Sequence, residues 1–357
     1  MDLLPLLERV GEQPLLAAGG AAIGLLFGFF AQRSSFCLRA AVIEFARGQP
    51  GEKLAVWLLA FSAAVVAVQA MLLAGWIDVG GARQLASRGS LSGAAVGGLL
   101  FGAGMVMTRG CASRLLVLSA NGNLRALLSG LIFAVTAQAA LGGVLAPLRQ
   151  EISGWWTVDG GVSRDLLAVA HGDRWAGLAF ALLWLLAALW YALRSRRGAW
   201  KWVGGLGAGL AVALGWACTA TIAASSFQVV PVQGLTFSGP SAEWLMRVVA
   251  APAAPVGFDF GLLPGVFAGS LLGGNVGGSL RLEGFGDGSG LPRYIAGAVL
   301  TGFGAMLAGG CAVGAGVSGG AIFSLTAWLA LVCMWAGAAL TDRLLDRTPA
   351  SPARTGP

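Results

Sequence analysis

Two matching stretches decide the fold, GGLLFGAGMVMTRGCA at residues 97–112 and GAVLTGFGAMLAGGCA at residues 297–312. In each copy an apolar, glycine-rich run stops at a Gly-Cys-Ala turn. The two turns contain Gly110, Cys111, Gly310 and Cys311. A helix needs about 20 apolar residues to cross a bilayer, so each run is predicted to end partway across the membrane with a thiol at its tip. Such paired half-helices in two repeats indicate a substrate site in a membrane transporter.

The composition is that of a protein embedded in lipid. Of the 357 residues, 57% are hydrophobic and only 11% are charged, whereas a soluble domain carries about 25% charged residues. The net charge of +7 is spread over loops, so it gives no support to a nucleic-acid partner and leaves the lipid bilayer as the expected surrounding. We therefore predict an all-α polytopic membrane protein.

The five cysteines, at positions 37, 111, 218, 311 and 333, are dispersed along the chain. No two of them form a CxxC pair, and the chain contains a single histidine. We therefore predict no metal site, no cofactor and no disulfide framework. Each thiol has to be interpreted from its own surroundings.

The apolar segments divide the chain into two repeats of about four helical segments each, joined by a linking helix. We assign residues 1–147 to the first transmembrane repeat, 148–200 to an interfacial segment and the linking helix, 201–341 to the second transmembrane repeat and 342–357 to a cytoplasmic tail. Because four crossings return the chain to its starting side, the linking helix inverts the second repeat, which predicts about nine spans. The re-entrant half-helices are expected to end at their Gly-Cys turns near the membrane centre.

Charge at the two ends of the chain predicts its orientation. The N-terminus is acidic, and it lacks the basic region that precedes the apolar run of a cleaved signal peptide. Four cations fall between Arg194 and Lys201, and the tail is basic. Positive residues concentrate in short cytoplasmic segments, so we expect the N-terminus outside and the C-terminus inside.

The predicted turns favour a small anion. The N-terminus of a half-helix presents unpaired N–H groups, and arginines flank two of the thiols. These arginines are Arg33 and Arg39 near Cys37, and Arg109 and Arg114 near Cys111. A thiol is a weak donor and a soft, polarizable partner, so a sulfur-containing anion suits it better than phosphate or chloride. Covalent pick-up of sulfur as a persulfide is the alternative, but no obvious base supports it, and we favour non-covalent transfer.

Three phrases resemble the signature segments of the YeeE/YedE family, which are bacterial inner-membrane carriers of thiosulfate or related sulfur species. They are RSSFCLRAAV, GMVMTRGCASRLLVLSANGNLR and GAMLAGGCAVGAGVSGG, in that order. The resemblance implies that Cys37, Cys111 and Cys311 lie along a thiosulfate path, as a relay of thiols. It also implies a partner on the cytoplasmic side, a small TusA-like sulfurtransferase.

Two further thiols and two other functions remain open. Cys218 follows its glycines at the spacing seen before Cys37, so it is either a pathway residue or a small buried residue, whereas Cys333 is interpreted as packing. Arg109 and Arg114 either contact substrate or only anchor loops. The transported species could instead be persulfide sulfur or selenite, and a membrane thiol-disulfide redox protein is the alternative from another class.

Overall fold

The computed structural model describes residues 9–49, 51–194, 198–226, 228–249, 256–285 and 290–346. Within them the regular structure is helical apart from two isolated bridges and one two-stranded antiparallel ladder, β1 (Gly89–Ser90) with β2 (Thr157–Val158). The helices of the first half are α1 (Glu12–Ser34), α2 (Leu38–Ala46), α3 (Glu52–Leu73), α4 (Arg83–Ala86), α5 (Leu91–Met107), α6 (Ala112–Ala120) and α7 (Leu124–Gly142). The connection contains α8 (Ala146–Gly154), a 3-10 turn (Val162–Arg164), α9 (Leu166–Val169) and the linking helix α10 (Arg174–Arg194).

The second half contains α11 (Ala199–Ser225), α12 (Ser238–Val249), α13 (Phe258–Val276), α14 (Leu291–Leu307), a π-helix (Ala312–Gly319) and α15 (Leu325–Leu345). The described residues include eight helical stretches long and apolar enough to cross a membrane. The prediction of an all-α polytopic membrane protein is confirmed. α13, with 19 residues, is outside those eight; it carries Asp259, Pro264 and Asn275 and packs along α1.

The bundle has two faces. We call the face at which α1 begins the upper face, and the face at which α15 ends the lower face. At the upper face the Ser226 hydroxyl after α11 contacts the Glu12 carboxylate, and the buried Arg164 guanidinium donates to the Ser87 carbonyl oxygen at 2.7 Å. At the lower face Arg47 forms a bidentate pair with Asp342, at 2.7 and 2.8 Å. These contacts join segments that are far apart in the chain at each face of the bundle.

Glycine makes the closest helix contact possible. A Cβ atom built on Gly20, Gly24 or Gly28 of α1 would overlap the backbone of α13, and one on Gly261 or Gly265 of α13 would overlap the backbone of α1. In lipid, van der Waals packing replaces the hydrophobic drive between helices, so small residues at such contacts hold them together. α1 and α13 therefore pack as one rigid pair.

Candidate functional site

Four short helices begin in the interior of the bundle. α2 and α6 begin after Cys37 and Cys111 and run to the lower face, whereas α12 and the π-helix begin after Phe237 and Cys311 and run to the upper face. The Phe27 ring lies between the two sets, with its centroid 6.2 Å from that of Phe36 and 5.2 Å from that of Phe237. The N-terminal, partly positive ends of four helices therefore surround one buried region, which favours an anion.

Tight turns reverse the chain ahead of these helices. Ser35 and Arg109 adopt left-handed backbone conformations, with φ of 54° and 58°, and Gly309 has φ of 79°. Each turn ends a long helix and directs the following residues back into the bundle. The break after α5 places Gly110 and Cys111 before α6, and the break after α14 places Gly310 and Cys311 before the π-helix.

Two predicted thiols touch each other. Cys37 and Cys111 are both buried, and their side chains are neighbours; we call them the lower thiol pair. The Cys111 sulfur also lies 3.4 Å from the Ser113 hydroxyl. This pair joins thiols that are 74 residues apart in the chain, a contact that their sequence spacing did not predict.

Two arginines contribute positive charge near the lower thiol pair. Arg39 on α2 and Arg114 on α6 both act electrostatically on Cys37. The Arg39 Nε is buried with no hydrogen-bond partner among the described residues, and Arg114 donates to the Gln32 Oε1 at a long 3.5 Å. A guanidinium that keeps unused donors beside two thiols and two helix N-termini is suited to an anion.

The remaining arginines lie further out. Arg109 is exposed and lines a lower-face cavity of about 60 Å³ together with Arg125, whose guanidinium reaches the Tyr294 hydroxyl at 3.4 Å. The Arg33 guanidinium stacks 5.6 Å from the ring centroid of Trp200. We expected Arg109 more than Arg39 to contact substrate, but Arg39 acts electrostatically on Cys37, whereas Arg109 is exposed.

Cys311 has a different environment. Its sulfur is buried and accepts the Phe237 N–H at 3.4 Å and the Gly314 N–H at 3.5 Å. The side chain of Thr236 packs against Gly314, where a Cβ atom would overlap it. Backbone donors and hydroxyls, with no arginine in the immediate sequence, therefore surround this thiol.

The structure does not bring Cys218 to the other thiols. It lies inside the continuous helix α11, half-buried, where its sulfur faces Gly19 of α1. The turn in the second half comes later, at Phe237 and Ser238. Cys333 lies on α15 against Gly98 of α5.

The chain itself contained the signal for this difference. Cys111 and Cys311 are 200 residues apart, and an offset of 201 pairs Phe36 with Phe237 and Cys37 with Ser238. Spacing measured from the glycines instead led to Cys218, because the connection from α11 to α12 is longer than that from α1 to α2.

Comparison with known proteins finds similar sequences over most of the chain. The family model described as "Sulphur transport" matches residues 33–340. Thiosulfate transporter TsuA of Escherichia coli (strain K12) is 24% identical over 356 residues, which cover 94% of this chain and 96% of that protein. Thiosulfate transporter TsuA of Spirochaeta thermophila is 25% identical over 337 residues, covering 88% of this chain and 94% of that protein.

Proposed function

Since the chain belongs to the sulphur transport family, we propose that it is a membrane transporter that takes thiosulfate across the bacterial inner membrane into the cytoplasm. The single observation that best supports this substrate is the lower thiol pair. Cys37 and Cys111 touch each other at two helix N-termini, beside Arg39 and Arg114. The two thiols are soft donors, and they lie with the positively charged guanidinium groups in one buried region.

The chemistry of thiosulfate matches that place. The ion carries two negative charges, one soft terminal sulfur and three hard oxygens. Thiols suit the sulfur because both partners are polarizable. Helix N-termini and guanidinium groups suit the charge, and such charge-assisted hydrogen bonds are roughly twice as strong as neutral ones.

The anion passes along the thiols in sequence. From the upper face it meets Cys311 first, between Gly310 and the π-helix, and then the lower thiol pair next to Gly110. Arg114 and Arg39 hold it there, and Arg109 lines its exit at the lower face. The transfer is non-covalent, since the single histidine, His171, lies in the upper-face connection between α9 and α10. It is therefore no base for these thiols.

The lower face is the cytoplasmic one in this proposal, with the N-terminus in the periplasm. The Lys201 ammonium group pairs with the Glu52 carboxylate at 2.5 Å, which puts the cationic stretch around Lys201 at the lower face. Positive residues concentrate on the cytoplasmic side, so this position supports the orientation. Two inverted repeats, residues 1–147 and 201–341, then deliver thiosulfate to a cytoplasmic TusA-like sulfurtransferase. The predicted cytoplasmic tail, residues 342–357, overlaps the end of α15, which continues to Leu345, and from residue 347 on it lies outside the described residues.

Uptake of radiolabelled thiosulfate into reconstituted vesicles tests the proposal. We expect Cys111→Ala and Cys311→Ala to abolish uptake, while Cys333→Ala is the matched control and keeps it, since Cys333 only packs against α5. All three variants must reach the vesicles in equal amount. Uptake by Cys111→Ala equal to that of the unaltered protein would refute the relay. If unlabelled selenite competes with labelled thiosulfate as strongly as unlabelled thiosulfate does, the assignment of thiosulfate as the substrate would be wrong.

A further inference from the structure

The two thiol sites on the proposed path are chemically unequal. The lower thiol pair offers two sulfurs and nearby guanidinium groups. At the position related to Cys37 by the offset of 201, the second half carries Ser238. We call Thr236, Ser238 and Cys311 the upper cluster; it contains one thiol and two hydroxyls.

The members of the upper cluster are held together by the backbone between them. The Thr236 and Ser238 hydroxyl oxygens lie 3.4 Å apart on either side of Phe237, and the Phe237 N–H donates to the Cys311 sulfur at 3.4 Å. Thr236 also packs against Gly314, whose N–H donates to the same sulfur at 3.5 Å. Both hydroxyls therefore belong to the residues that flank the backbone N–H bonded to the thiol.

The hydroxyls have hydrogen-bonding capacity to spare. Two hydroxyls in a good hydrogen bond are separated by about 2.7–2.8 Å, so the 3.4 Å contact between Thr236 and Ser238 is a weak one. Ser238 is nevertheless only 2% exposed. A buried hydroxyl normally has a strong partner, and an anion oxygen between the two hydroxyls would supply one.

We propose that Thr236 and Ser238 bind the sulfonate oxygens of thiosulfate while the Cys311 thiol contacts its terminal sulfur. This inference rests on the proposed function and adds a specificity rule to it. Hydroxyls are hard donors that favour oxygen, and a thiol favours a soft partner. The upper cluster therefore selects an anion that has both ends, against sulfide, which has no oxygen, and against sulfate, which has no terminal sulfur.

The substitutions that test this keep the shape of the cluster. Ser238→Ala and Thr236→Val each remove one hydroxyl, whereas Thr236→Ser keeps it. A hydrogen bond to a charged group contributes enough that its loss raises KM about tenfold. Ser62→Ala is the matched control, because Ser62 is equally buried on α3 but its hydroxyl bonds within its own helix, to the Leu58 carbonyl oxygen at 2.7 Å.

The readout is KM and maximal rate of radiolabelled thiosulfate uptake in reconstituted vesicles. We expect Ser238→Ala and Thr236→Val to raise KM about tenfold with the maximal rate within about twofold. Thr236→Ser and Ser62→Ala should stay within about twofold of the unaltered protein in both. Unchanged KM in Ser238→Ala and Thr236→Val, or equal damage from Thr236→Ser and Thr236→Val, overturns the inference. Absence of uptake by the unaltered protein would instead refute the proposed function itself.

Discussion

Alanine substitution at the two turn glycines should have opposite outcomes. A Cβ atom on Gly310 would lie 2.7 Å from the Ala315 backbone nitrogen and 3.1 Å from the Gly314 carbonyl carbon, both in the π-helix. A Cβ atom on Gly110 would come no closer than 3.3 Å, and there it meets the end of the flexible Leu115 side chain. The sequence treats these glycines as equivalents, but only Gly310 is enclosed by backbone.

The size of the effect follows from these distances. Ordinary contact begins near 3.4 Å, so Gly310→Ala pushes the first turn of the π-helix away by about 0.7 Å. That turn contains Gly314, whose N–H is already 3.5 Å from the Cys311 sulfur. Overpacking of this kind costs about 1–3 kcal/mol, and the loss of correct thiol position should reduce uptake about tenfold or more. Gly110→Ala should cost less than about 0.5 kcal/mol, as a tolerated substitution does.

Two measurements on each variant check this reasoning. Thermal unfolding of detergent-purified protein reports stability, and thiosulfate uptake in vesicles reports the pathway. We expect Gly310→Ala to lower both the stability and the thiosulfate uptake, and Gly110→Ala to leave both unchanged. Equal behaviour of the two variants, or greater damage from Gly110→Ala, would show that the enclosed geometry around Gly310 does not govern the position of Cys311.

Three other outcomes are expected. Arg39→Met should raise the KM for thiosulfate about tenfold and Arg109→Met about twofold or less, because only the first guanidinium has a buried, unpartnered Nε beside the thiols; equal effects in uptake assays would contradict this. Asp342→Asn removes a fully buried carboxylate from its bidentate pair with the 40% exposed Arg47 and should lower the free energy of unfolding by about 1.5 kcal/mol, measured by thermal unfolding. Peroxide should oxidise Cys37 and Cys111 to a disulfide, the two thiols losing two hydrogens while peroxide is reduced to water. Alkylation of the denatured protein that still labels both thiols after oxidation would contradict their contact.

The sequence was sufficient for the class of protein, and it predicted thiols at the helix breaks after α5 and α14. The overall composition predicts a protein embedded in lipid, and a glycine-rich run before Gly-Cys predicts a turn. Both signals can be read directly from the sequence. The contact between Cys37 and Cys111 is not local. It depends on where α2 and α6 pack, and no spacing along the chain encodes that.

The partner of Cys37 in the second half shows why spacing can mislead. α11 is 27 residues long and continues past Cys218, whereas α1 has 23 residues and breaks just before Cys37. Counting forward from the glycines therefore stops too early in the second half. The offset that relates Cys111 to Cys311 would have led to Ser238, and a serine attracts no notice in a search for thiols.

The burial of the sulfurs has a consequence for the energy of the cell. Cys111 is 0% exposed and Cys311 is 1% exposed, so the conformation described here is closed rather than an open, water-filled pore. A permanently wet channel would let protons and small ions equalise across the membrane and discharge its potential. Side chains packed around the sulfurs keep water out, and on the proposed path each anion has to displace them as it passes. The turnover rate is then limited by how often the core opens, so the transport rate is lower but the membrane potential is preserved.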